Sequence, residues 1–204
     1  RDWSVTGVQT CALPIYAAER RRLGVAFLPE ERLGHGAVPD ASLVENMLLS
    51  QRHRVSDLGF VAWSDVRTDA EEVIRRFDVK TPGPEKAARG LSGGNLQKFV
   101  IGREIAANPG MFIACQPTWG VDAGAAAEIH KAIIRLAEGG TAVILISQDL
   151  DELFAVSTHL AVIARGHLGP VVRIEDATVE DIGRQMEGKP QVRAGEMATE
   201  RAHV

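Results

Sequence analysis

Apolar residues fall along this chain in two rhythms. Short unbroken runs at 23–28 (LGVAFL), 111–115 (MFIAC) and 142–146 (AVILI) read as buried strands, the first ended by Pro29. Leu160–Ala164 and Val171–Ile174 read as two further strands. Elsewhere the rhythm is helical. Ser42-Leu43-Val44-Glu45 has the form of a capping box and opens a short helix over 42–50. From Ser64, the residues Val66, Ala70, Val73, Ile74 and Phe77 share one face, with charges opposite. Ser92–Ala107 reads as a helix stopped at Asn108-Pro109-Gly110, and Ala125–Ala137 as one ended by Gly139-Gly140. Asp149–Val156 is a short helix with acids in its first turn, and Thr178–Met186 is the last helix. Residues 51–63 and 79–90 are irregular, and 188–204 have no apolar period and are expected to fray. Strands alternating with helices predict an α/β fold, a mostly parallel sheet covered by helices. A small helical subdomain without strand patterning interrupts it at 41–90.

Composition narrows the picture. A chain of 204 residues holds one full core, or a core and a small subdomain. A net charge of −4 speaks against nucleic acid as a partner. No apolar run reaches the roughly 18 residues that a spanning helix needs. Residues 5–15, VTGVQTCALPI, match the forward translation of a common sequencing adapter, and 1–4 fit the bases upstream of it. Residues 1–16 are therefore set aside as an artefact and its junction. They lack the basic start and continuous apolar core of a signal peptide. Cys11 goes with them, which leaves Cys115, no disulfide and a reducing compartment. The native protein is expected to start upstream, with this chain a truncated piece.

The chemistry concentrates at 91–98, LSGGNLQK. Ser92 is a good N-cap, and Gly93-Gly94 let a ligand approach the backbone. Unpaired amides at a positive helix end make an anion site. By itself this pattern also suits an ordinary helix cap. It is followed in order by the 111–115 strand, Gln116-Pro117-Thr118, Gly120-Val121-Asp122 and, after a third strand, Ile146-Ser147-Gln148. That order and spacing resemble the nucleotide-binding domain of ABC transporters, a P-loop-type fold, over residues 17–186. The stretch GVAFLPEERLGHGAVPDASLVEN at 24–46 is similar to the second ATPase half of tandem importers for simple sugars and nucleosides. The resemblance divides the chain into a Q-loop strand and loop (17–40), the helical subdomain (41–90) and the signature, Walker B, D-loop and switch part of the core (91–187). A flexible tail follows at 188–204. It makes Leu91, Ser92, Gly93, Gly94 and Asn95 the signature loop, Glu30 the Q-loop position, Trp119–Asp122 the D-loop and 146–148 the switch.

Five departures from the family pattern shape the functional expectation. The Walker A loop is absent, in keeping with truncation; its missing strand and helix would leave part of the sheet uncovered. Cys115 stands where the family has the Mg²⁺-ordering Asp, and Gln116 where it has the Glu that polarises the attacking water. Gln148 replaces the switch His, and Glu30 stands where many members have Gln. A neutral thiol is a poor ligand for a hard cation, and an amide accepts no proton. A catalytic base contributes about 10²–10⁴ in rate, so these losses should leave the chain's own site nearly silent.

The resemblance implies an ATP-binding piece of an importer for nucleosides or simple sugars that gives its signature loop in trans to its partner's ATP site. ATP and Mg²⁺ belong to the intact dimeric assembly. The implied partners are the N-terminal ATPase half or a second copy, transmembrane permease subunits contacted through residues 30–90, and indirectly a substrate-binding lipoprotein. The implied place is the cytoplasmic face of the inner membrane, as a peripheral protein. Asp122 is expected at the dimer seam, as the cap of a helix at Ala123, or both. Trp119 is left between the seam and the core of the half itself. The alternative is a non-transport ABC-type ATPase or a regulatory nucleotide-binding protein. Its chromosome and repair examples carry long coiled-coil arms, whereas the helical subdomain here is short and lacks heptads.

Overall fold

The structure is a computed structural model and describes residues 16–51, 54–56 and 58–187. The adapter match at 1–15 and the fraying expected at 188–204 lie outside the described residues. The chain forms two compact units, one running to Ile146 and the other starting at Ser147.

The first unit contains α1 (Ala17–Arg22), β1 (Val25–Leu28), α2 (Leu43–Met47), α3 (Trp63–Arg76), α4 (Gly93–Ala106), β2 (Met111–Cys115), α5 (Ala123–Glu138) and β3 (Ala142–Ile146). The strands form one parallel sheet in the order β1-β2-β3. Leu28 lies opposite Ala114, and Cys115 opposite Ile146. Alternation along each strand sorts the side chains onto two faces. Ala26, Leu28, Phe112 and Ala114 are buried on one face, with Val143 and Leu145 packed into the same core. The other face carries Phe27, Ile113, Cys115, Ile144 and Ile146, and three of these are nearly half exposed (Phe27 45%, Ile144 44%, Ile146 47%). Parallel sheets are ordinarily covered on both sides, whereas this apolar face of the first unit stays partly exposed.

The helices follow from local chemistry. The capping box of α2 is formed, with the Ser42 hydroxyl accepting from the Glu45 amide and the Glu45 carboxylate accepting from the Ser42 amide. The amphipathic stripe of α3 buries Val66, Ala70 and Val73. Central α4 buries residues nearly all round, including Phe99, Val100, Ile101 and two charges, Arg103 and Glu104. Asn46, also buried, exchanges hydrogen bonds with both backbone groups of Val38 and donates to the carbonyls of Ala41 and Ser42, which ties α2 to the loop after β1. Helix α1 has no counterpart in the sequence-based reading. It buries no residue, so no apolar period announces it. Its last turn carries Arg20, Arg21 and Arg22.

The second unit contains α6 (Leu150–Val156), β4 (His159–Leu160), β5 (Ile163–Ala164), β6 (His167–Leu168), β7 (Val172–Arg173) and α7 (Val179–Met186) around Leu160, Val162 and Ile182. Here the strands differ from expectation. The run 160–164 is two short strands, and both pairings, β4–β7 and β5–β6, are antiparallel. The turn after Ala164 makes the β5–β6 pair a hairpin: Arg165 and Gly166 both take positive φ (52° and 80°), the backbone of a tight turn. The parallel sheet thus belongs to the first unit. No helix among the described residues is long and apolar enough to cross a membrane.

Candidate functional site

In open parallel sheets, ligand sites form beyond the carboxyl ends of the strands. The loops after β1 and β2 both leave that edge. Cys115 closes β2 half-buried. Burial, and secondarily the Glu30 carboxylate, push its thiol pKa above the ordinary value. The thiol is therefore neutral near physiological pH, and Glu30, from the loop after β1, lies near enough for its charge to be felt there.

The chain then turns sharply. Gln116 adopts left-handed backbone (φ 50°), its amide donates to the Ile146 carbonyl at 2.8 Å, and its carbonyl accepts from the Trp119 amide at 3.2 Å. Gly120 is also left-handed (φ 66°), and the Val121 amide closes onto the Thr118 carbonyl. The loop ends at Asp122, which caps α5 by accepting from the Ala125 amide at 2.9 Å. That bond is the main cause of a lowered Asp122 pKa. Trp119 is 63% exposed, so it is not a core residue of this unit.

The Ser92–Asn95 turn opens α4. The Ser92 hydroxyl accepts from the Asn95 backbone at 3.4 Å and from its side-chain amide at 2.8 Å. The Asn95 oxygen in turn accepts from the Lys80 amide at 2.8 Å, which fixes the turn against the loop that follows α3. Leu91 packs half-buried against the core, while Ser92 and Gly93 face solvent. The first amides of α4 are thus held in place at an accessible, electropositive helix end, a geometry suited to phosphate.

Two residues outside the sequence-derived site tie these segments together. The Arg32 Nε donates to the Gln97 side-chain oxygen at 2.9 Å, and the Gln97 amide nitrogen donates to the Pro117 carbonyl at 2.6 Å. A Cβ on Gly93 would stand 2.8 Å from Arg32 Nη1, and one on Gly120 would stand 3.4 Å from Nη2. The guanidinium therefore lies beside both the start of α4 and the turn after β2. Burial lowers the Arg32 pKa, and among the described residues no carboxylate forms an ion pair with it. The sequence did show Arg32 inside PEER and Gln97 inside LSGGNLQK, but nothing local in either stretch indicates that they meet.

Within the first unit, Glu30, Cys115, Gln116 and Asp122 thus belong to the two loops at the sheet edge, with the 91–95 turn joined to them through Gln97. Gln148 lies in the second unit, exposed, just before the N-cap Asp149 of α6. No group of three or more His, Cys, Asp and Glu residues that could hold a metal ion occurs among the described residues.

No family model matches the chain. Among curated proteins it is 39% identical over 174 residues to the guanosine import ATP-binding protein NupO of Bacillus subtilis (strain 168), covering 84% of this chain and 34% of that protein. It is 39% identical over 166 residues to the nucleoside import ATP-binding protein NupA of Lactococcus lactis subsp. cremoris, covering 80% and 33%. With the ribose import ATP-binding protein RbsA of Oceanobacillus iheyensis it shares 40% over 162 residues, covering 79% and 32%. The chain spans about a third of the length of the curated relatives it matches. Among solved structures, a dimeric bacterial ABC transporter cassette superposes with a TM-score of 0.67 at 20% identity, covering 81% of this chain and 69% of that one. A dimeric ATP-binding cassette in a post-hydrolysis state with ADP and Pi gives 0.65 at 19%, covering 83% and 72%. At these identities the likeness is one of fold: the α/β architecture matches that of the ABC ATPase cassette.

Proposed function

We propose that this chain is the signature-bearing part of an importer's ATP-binding protein, one that lends its Ser92–Asn95 turn to the ATP site of a partner half while its own site is catalytically degenerate. The observation that carries the reading is a contrast between two neighbouring features. The 92–95 turn is complete, capped and accessible. The end of β2 offers only a neutral thiol and an amide.

The chemistry of that donor set decides what each group does. A protonated thiol is no ligand for Mg²⁺, which prefers carboxylate and water oxygen. Residues 115 and 116 therefore do not fit the metal, and no hydrolytic step is drawn through it here. ATP fits better at the other feature. The amides at the start of α4 and the Ser92 hydroxyl would bind the terminal phosphates of a nucleotide held on the partner's own phosphate loop. Asp122 keeps α5 in register and sits in the loop expected at the seam. Gln116 preserves the left-handed turn without a base. The exposed apolar sheet face is where further chain of the complete protein would pack, in keeping with the smaller share of the relatives that this sequence spans.

The relatives' names, which concern guanosine, nucleosides and ribose, support nucleosides or simple sugars as the transported class. Those names speak of import, and an importer of this kind would take membrane permease subunits as partners and attach peripherally at the cytoplasmic face. Against the non-transport alternative, α2 and α3 are short and pack onto the core, and the described residues between them form no coiled-coil arm.

Ser92→Arg in the intact importer ATPase tests the reading. A bulky cation at the phosphate approach should abolish ATP turnover while nucleotide binding to the partner half persists. Turnover equal to wild type would remove the trans-donor role.

A further inference from the structure

We propose that Arg32 is a positioning residue of the composite nucleotide site, holding the loop after β1, the signature turn and the loop after β2 in one register. This inference rests on the function proposed above and adds to it a residue outside the signature, Walker B, D-loop and switch segments.

Gln97 is 1% exposed and has one orientation that satisfies both neighbours: its oxygen accepts from Arg32 Nε and its nitrogen donates to the Pro117 carbonyl. Reversing the amide would set donor against donor and acceptor against acceptor. Arg32 thus fixes Gln97, and Gln97 fixes the first carbonyl of the loop that leaves Gln116. The same guanidinium occupies the space beside Gly93 and Gly120 on its two other nitrogens, so its planar fork reaches all three segments. The three segments are otherwise far apart in sequence; Arg32 and Gln97 are 65 positions apart.

The charge points the same way. A half-buried cation with no acid partner among the described residues loses solvation without an ion pair to offset it. A neutral side chain of similar length would fill the space without that loss. What the guanidinium adds is a rigid fork, and a rigid fork serves alignment. A misplacement of about 1 Å in a reacting constellation can cost on the order of 100-fold in rate.

The test uses the intact importer ATPase with Arg32→Met, Gln97→Leu and the double variant. Amide hydrogen exchange in Arg32→Met should quicken by about tenfold or more at 92–97 and 118–122 and stay unchanged at 142–146, the signature of a local release. The turnover number should fall by about tenfold or more with KM for ATP within about twofold, because alignment and not binding is lost. Arg32→Lys should not restore it, since a point charge cannot reach all three segments. The double variant should be no slower than the worse single one. Turnover of Arg32→Met within about twofold of wild type would overturn the proposal, as would exchange that rises uniformly across the sheet, or losses that multiply in the double variant. Gln97 is buried, so if its variant fails to fold, the exchange map and kinetics of Arg32→Met still decide the matter. Ser92→Arg run alongside separates the two failures. If it abolishes turnover while Arg32→Met is active, the positioning role alone is wrong; if it is active too, the trans-donor reading is wrong.

Discussion

Cys115 shows how one side chain sets the chemistry at the end of a strand. It closes β2 half-buried, opposite Ile146, and burial together with Glu30 keeps it protonated. Because its pKa in the fold is raised, the neutral form is favoured. Its contribution to stability is fully present below the ordinary thiol value and is lost as pH rises through the raised one. Alkylation of Cys115 by iodoacetamide at mildly alkaline pH, followed by peptide mass spectrometry, should be at least several-fold slower in the folded protein than in urea. Equal rates would mean that the thiol is neither shielded nor raised. Other single residues were legible from sequence where their chemistry is local. Ser92 and Asp122 cap their helices through bonds three residues away. Arg32 was not legible, because its partner lies in another element and only folding brings them together.

At the scale of elements, strands and helices with a clear apolar period emerged close to where the pattern put them. α3, α4, α5, β2 and β3 match their expected ranges to within one or two residues. The period failed where burial is slight. α1 buries nothing, and the 160–164 run is two short strands, the second ending at a hairpin turn whose left-handed Arg165 no hydrophobic pattern encodes. It was also silent on Glu104, which in sequence looks like a solvent-facing helical acid. In the fold it is fully buried, paired with Arg103 at 2.7 Å and Arg21 at 3.0 Å, and it accepts from Ser50. Burial alone would raise its pKa, but the two arginines and the Ser50 hydroxyl bring it below the usual carboxylate value. The stability it adds is therefore present above the ordinary pKa and is lost as pH falls through the lowered one. Glu104→Gln leaves Arg103 buried without its charge partner and should cost about 3–5 kcal/mol in chemical denaturation at neutral pH. The gap from wild type should shrink as the solution is acidified. A cost below about 1 kcal/mol, or one independent of pH, would mean that the network contributes little.

At the scale of the whole molecule, the fold class was readable because βα alternation specifies a parallel sheet, and the ABC cassette structures share that architecture. Phe27, Ile144 and Ile146 are residues a strand chooses for burial, yet here they meet solvent. The antiparallel strand pairs of the second unit were not readable, because two-residue strands carry too few side chains to show an alternation. The central claim is an asymmetric dimer, in which this chain completes its partner's site while its own holds nucleotide without chemistry. A single-turnover experiment on the intact importer ATPase, counting nucleotides trapped in the closed dimer and ADP formed before opening, tests it most directly. The account predicts two nucleotides trapped and about one ADP formed, the other leaving as ATP; two ADP per closed dimer would contradict it.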